Sequence, residues 1–281
     1  MFRRGLTERF VEDLRIGCLA ELLPAARAAE LDVQIRDDYL NLYHHGQAAL
    51  KLVGLKRGDY RAEIHHKYLV DVPLAGGRRA GEYVAFTAGA DFIQQYVVHV
   101  PAILTSIDPF CRPEATAEQR LALGSHAPDC PVVFIDRQVC QSGRADQIDL
   151  LGVTRDETPR LVVAEVKHGL NSDIQDLAAQ LGRYQTWLTD DDGAATTEVT
   201  QVYRTVISQR QQLGLLAPEV RLPEDPVEVE GLIVLCDYKP RSVLWERAAA
   251  RLAGARFPIH VITPGQPEYA IPSRDMWERI A

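Results

Sequence analysis

At 281 residues, 46% hydrophobic and 25% charged, the chain is long enough for one large domain or two modest ones and has an ordinary globular composition. No apolar run approaches the roughly eighteen residues that cross a bilayer, and the opening M-F-R-R-G-L-T-E-R-F lacks the apolar core of a secretory leader, so no membrane partner and a cytoplasmic location are expected. A net charge of −8 excludes bulk attraction to a polyanion and leaves only a local basic stripe to supply it.

In chain order, Leu6–Leu23 has apolar residues at helical spacing and is punctuated by Pro24, with a short helix expected over 25–30. Alternating runs from Asp32 to Leu69 predict an antiparallel strand meander. The pairs His44-His45 and His65-His66 fall in these runs. Adjacent strand residues face opposite ways, so neither pair is expected to chelate as a unit. The Gly-, Ala- and Arg-rich loop 73–81 suggests a boundary, giving a β-rich domain over 1–86 and a second domain over 87–281.

The second domain opens with an apolar helix over 88–106, expected to break near Pro101, and a helix over 114–123. Pro131–Val139 reads as a core strand. Ile148–Val153 and Leu161–Val166 are short and β-branched, and the charged, proline-containing 154–160 between them predicts a hairpin. A helix capped by Asn171 or Ser172 then runs to Leu188. Further on, a helix over 198–213, a largely apolar strand over 229–238 fit for a buried, parallel position, a helix over 242–252 and a strand over 257–263 complete a mixed α/β sheet flanked by helices.

The chemistry sits on the hairpin. Glu165 and Lys167 share one strand face and Asp149 lies on the neighbouring strand, so two carboxylates and an ammonium gather on an otherwise apolar patch. Asp146 is the rival to Asp149, but its three-residue offset turns it away in a regular strand. Carboxylates suit a hard divalent cation, which activates water and neutralises charge on a phosphodiester. On the next helix, Gln180 and Tyr184 are four apart and share a face.

An aspartate on one strand, E-x-K on the next and Q-x-x-x-Y on the following helix resemble the PD-(D/E)xK, or restriction-endonuclease-like, nuclease superfamily in its RecB-like branch. The resemblance covers about 114–264. It implies an αβββαβ core and Mg2+- or Mn2+-dependent cleavage of nucleic acid, DNA by preference. It also implies catalytic roles for Asp149, Glu165, Lys167, Gln180 and Tyr184. The implied metal set is Asp149, Glu165 and the Val166 position, with one more acid from the preceding helix, Glu118 or else Glu114. Arg144, His168 and Arg183 are candidate substrate contacts; the basic loop 76–81 is another. The second reading is a catalytically degenerate binding or scaffold module of the same fold. Recognition or dimerisation, through a second copy or a partner protein, is expected of the N-terminal domain. Five scattered cysteines point to reduced thiols and against a zinc or iron–sulfur centre.

Overall fold

The structure, a computed structural model, describes residues 3–140, 147–169, 174, 176–190, 194–224, 226–237, 243–252, 258–264 and 269–280. The chain is α/β and divides into two compact units, Arg3–Gln119 with Ser208–Leu216, and Arg120–Ile207 with Ala217–Ala281.

The N-terminal unit opens with α1 (Glu8–Arg15), where the Thr7 hydroxyl accepts from the Phe10 N–H as an N-cap. Next is α2 (Leu22–Ala28). The expected break at Pro24 does not occur. The helix stops instead at Ile16, and Pro24 stands in the first turn of α2, where its missing N–H would have had no helical partner.

Strands β1 (Asp32–Ile35), β2 (Tyr39–His44), β3 (Gln47–Gly54), β4 (Tyr60–His65), β5 (Arg78–Ala80) and β6 (Tyr83–Thr87) form a six-stranded sheet in the order β1-β2-β3-β4-β6-β5. Every pairing in it is antiparallel, as the meander reading expected. Helix α3 (Ala90–Ile107) packs Phe92, Ile93, Tyr96, Val100 and Ile103 into the same core as Leu40, Leu42, Leu50 and Ile64.

That shared core moves the boundary from residue 86 to Gln119, since stripping α3 away would expose both apolar faces. The loop 73–81 is no linker either, because part of it pairs as β5. Nor is α3 broken at Pro101. Burial of Val100 and Ile103 on either side holds the helix across the one backbone bond that proline removes.

Helix α4 (Pro113–Gly124) leads into the second unit, built from β7 (Val132–Cys140), β8 (Gln147–Thr154), β9 (Leu161–His168), α5 (Leu177–Leu188), β10 (Ala194–Ala195), α6 (Thr197–Gln212), β11 (Val227–Cys236), α7 (Val243–Leu252), β12 (Ile259–Ile262) and β13 (Glu278–Arg279). The sheet order is β13-β12-β11-β9-β8-β7, with β10 on β11. Strands β7, β8 and β9 are antiparallel; β11 runs parallel to both β9 and β12, as its largely apolar sequence suggested. Strand β9 is therefore central and buried from Leu161 to Lys167. The end of α6 returns to the N-terminal unit, where Gln209 brackets the Leu6 backbone with two hydrogen bonds and Arg210 donates to the Val33 carbonyl. No helix among the described residues is long and apolar enough to cross a membrane.

Candidate active site

The β8–β9 hairpin closes through the turn 154–160, where the Thr154 N–H donates to the Arg160 carbonyl and the Arg160 N–H to the Thr154 hydroxyl. From there the ladder runs Val153↔Leu161, Gly152↔Val162, Leu151↔Val163 and Leu150↔Ala164. Side chains of directly paired residues share a face, so Asp149 stands with Leu151, Val163, Glu165 and Lys167.

Beyond Leu150↔Ala164 the two strands part. Strand β9 stays paired to β11 as far as His168, but its β8 edge opens. The Val166 N–H, which a continued ladder would have used, donates instead to Asp149 Oδ2 at 2.8 Å. In a strand the N–H and C=O of one residue point to the same side, so the Val166 carbonyl faces the same gap. The Val166 side chain is buried and offers no ligand; any contribution from this position comes through its backbone.

Glu165 is 1% exposed and Lys167 6% exposed. Glu165 Oε1 accepts from Lys167 Nζ at 2.6 Å, and Oε2 lies 3.2 Å from the hydroxyl of Tyr184, itself buried. That hydroxyl also donates to the Gln147 carbonyl on β8. It has one proton for two acceptors, so Glu165 competes with the backbone for it. Tyr184 reaches the site because Leu177, Leu181, Tyr184 and Leu188 form the buried stripe of α5. Gln180, one turn earlier on that stripe, has its Oε1 buried without a hydrogen-bond partner among the described residues. A buried amide oxygen in that condition costs free energy unless something binds it.

His168 points to the opposite sheet face and its Nε2 sits 2.7 Å from Asp237 Oδ2, so it does not join the cluster. Arg183 is exposed on α5. Glu118 is buried on α4 and belongs to the N-terminal unit; Glu114 is half-buried in the first turn of that helix. Arg144, Asp146, Asn171 and Ser172 lie outside the described residues.

Asp136, a third carboxylate on this face, went unread in the sequence. Strand β7 pairs Phe134 with Gly152 and Asp136 with Leu151, leaving Ile135 as an extra residue in a bulge. A regular strand would send Asp136 to the other face; the bulge reverses its direction. Gly152 lets Phe134 come close, since a Cβ there would lie 2.8 Å from the Phe134 ring. Asp136 is 1% exposed and accepts from the Tyr203 hydroxyl of α6 at 3.0 Å. The only signal was a lone acid in an apolar strand.

No family model, curated protein or solved structure matches this chain. Its chemistry must be argued from its own residues. They place hard oxygen donors in one fork, two carboxylates and a backbone carbonyl, beside an ammonium and a phenol. That donor set fits Mg2+ or Mn2+.

Proposed function

We propose that the chain is a divalent-metal-dependent nuclease of the restriction-endonuclease-like class. The observation that carries this reading is the fork itself, where β8 and β9 separate and Asp149, Glu165, Lys167 and Tyr184 converge in a buried strand pair. The order α4-β7-β8-β9-α5, with β11 parallel to β9, supports it as the order the resemblance implies.

Asp149 and Glu165, with the Val166 carbonyl, would hold the cation. When bound, it supplies an acidified water and neutralises charge on the scissile phosphate. Tyr184 fixes the Glu165 carboxylate, and α5 carries the Gln180 amide towards whatever occupies the fork. With Glu165 committed to a cation, the Lys167 ammonium stabilises the negative charge that grows on phosphorus. Nucleic acid, DNA in the first instance, is the proposed substrate. The negative net charge requires a local basic contact surface, for which the exposed Arg183 on α5, in the unit that carries the fork, is a described candidate.

The test incubates the purified chain with linear, circular and single-stranded DNA, and with RNA, in EDTA, Mg2+ and Mn2+. Cleavage is expected only with metal, and not from Asp149→Ala. Cleavage that persists in EDTA or in that variant would remove the assignment. Metal-independent DNA binding without cleavage would favour the degenerate binding module.

A further inference from the structure

The N-terminal unit holds a second group of metal-ligating side chains, made by a turn. Strands β2 and β3 are joined by His45 and Gly46 alone, and both adopt left-handed backbone, with φ of 47° and 82°. Positive φ at both central residues of a two-residue hairpin defines a type I′ turn, whose first position usually takes Asn, Asp or Gly. Here it takes histidine. The expectation that His44 and His45 face opposite ways fails for that reason, because alternation holds within a strand and His45 has left it. The two rings lie 4.1 Å apart between centroids.

The turn is clamped. Gln119, 3% exposed on α4, accepts from the Gly46 N–H at 2.9 Å and donates to the Tyr43 carbonyl at 3.1 Å. A Cβ at Gly46 would lie 2.4 Å from the Ala115 Cβ, so the turn is pressed against the same helix. The third group is Asp108, the residue that ends α3, with Oδ1 2.8 Å from His44 Nε2. Among the described residues, His44, His45 and Asp108 are the only three His, Cys, Asp or Glu side chains whose ligand atoms all lie within 4.8 Å of one another. Ligand atoms bound at about 2.1 Å to one ion are at most about 4.2 Å apart, so side-chain adjustments of under about 1 Å close the set.

We infer that the tip of the β2–β3 hairpin binds one borderline divalent transition-metal ion, of which Zn2+ and Co2+ are the test cases, through His44, His45 and Asp108. Two imidazoles and one carboxylate favour such ions over Mg2+, which prefers oxygen donors alone. Three protein ligands leave at least one position open, on the side where Asp108 is 59% exposed. This site is independent of the carboxylate fork on β8 and β9.

The experiment loads the full-length chain with Zn2+, dialyses it and counts bound metal, then titrates Co2+ and follows its visible absorption. At least one retained equivalent is expected, and one of those bound shows the absorption of nitrogen-coordinated Co2+. Asp108→Asn changes an exposed group, and His45→Asn keeps a residue that accepts left-handed backbone, so both variants should fold. Each should weaken Co2+ binding about tenfold or more. The nitrogen-coordinated Co2+ absorption should persist in Glu165→Gln, which separates this site from any cation held at the carboxylate fork. Wild type that retains no metal, or binding unchanged in both Asp108→Asn and His45→Asn, would overturn the inference. So would loss of the nitrogen-coordinated Co2+ absorption in Glu165→Gln alone.

Discussion

Two glutamates are buried in the mixed sheet, on opposite faces of it. Glu165 pairs across β9–β11 with Ile233, and Glu230 stands three residues from Ile233 along β11. Both are almost without solvent, at 1% and 0% exposure. Their surroundings differ. Glu230 has both oxygens held by the two terminal nitrogens of Arg274, with Arg160 Nε at 3.6 Å, and Arg274 lies over the Trp277 ring. Asp156 answers Arg160, so two carboxylates there meet two guanidiniums. Glu165 instead accepts from the Lys167 ammonium and from a phenol whose proton it shares with a backbone carbonyl, while Asp149 accepts from the Val166 N–H. Burial alone therefore does not mark a site. What sets Glu165 apart is the opened strand edge beside it, where the Asp149 carboxylate and the Val166 backbone meet.

The largest expected effect breaks the comparison at both ends. Glu165→Gln should lower metal-dependent cleavage about a thousandfold or more. Its stability cost should be small, because the amide oxygen still accepts from Lys167 and an ammonium can give up its proton. Glu230→Gln should do the reverse. Arg274 cannot deprotonate, so the variant leaves guanidiniums facing a neutral amide. The side chains of Arg274 and Arg160 are 26% and 30% exposed, which softens the loss to roughly 2–4 kcal/mol. Urea unfolding and cleavage assays on the two variants measure this. If Glu165→Gln is the less stable one, or if folded Glu230→Gln has lost its cleavage, the contrast is wrong.

What the sequence made legible follows from periodicity. Asp149, Glu165 and Lys167 lie on one face because regular strands alternate, and Tyr184 follows Gln180 by one helical turn; both rules held locally. What was hidden depends on departures from regularity. One extra residue at Ile135 turns Asp136 to the sheet face that carries Asp149, and a left-handed His45 brings two imidazoles together where alternation would part them. The domain edge was hidden for another reason. A glycine-rich loop looks like a linker, but the cut is decided by which core α3 buries, a tertiary fact with no local signature.

A middle-sized effect sharpens the contrast by removing the cation instead of the acid. Lys167→Met leaves Glu165 buried without its ammonium, and in EDTA this should cost roughly 3 kcal/mol. Mg2+ should restore part of that loss, since a ligand bound only by the folded state stabilises it by mass action. Cleavage at saturating substrate should drop strongly while DNA binding changes little, because the ammonium acts mainly on charge that develops in the transition state. The readouts are unfolding curves with EDTA and with Mg2+, and single-turnover rates. A variant whose stability does not respond to Mg2+ would mean that Glu165 takes no part in holding the cation.

The smallest effect belongs to the Glu230 end and is a matter of pH. His260 lies on β12 with its Nε2 3.9 Å from Glu230 Oε2 and its ring edge-on to Trp277. Burial holds its imidazole below the ordinary value of 6.5; Glu230 pulls the other way, and Arg274, Arg279 and Arg160 push with burial. The folded state thus takes up this proton less readily than the unfolded chain. Above the ordinary imidazole value neither state holds the proton, and His260 adds no pH dependence. As pH falls through that value the unfolded chain protonates first, so stability is lost until the lower, folded value is passed. His260→Gln should therefore show a flatter stability profile than wild type between about pH 7 and pH 5, with a difference in slope of no more than one proton. In a Glu230→Gln background the group that favours the His260 proton among the described residues is gone, so the histidine's contribution should grow and extend to lower pH. Urea unfolding of the four proteins across that range completes the cycle. Equal slopes with and without His260 would show that the acid sensitivity of this face arises from another group.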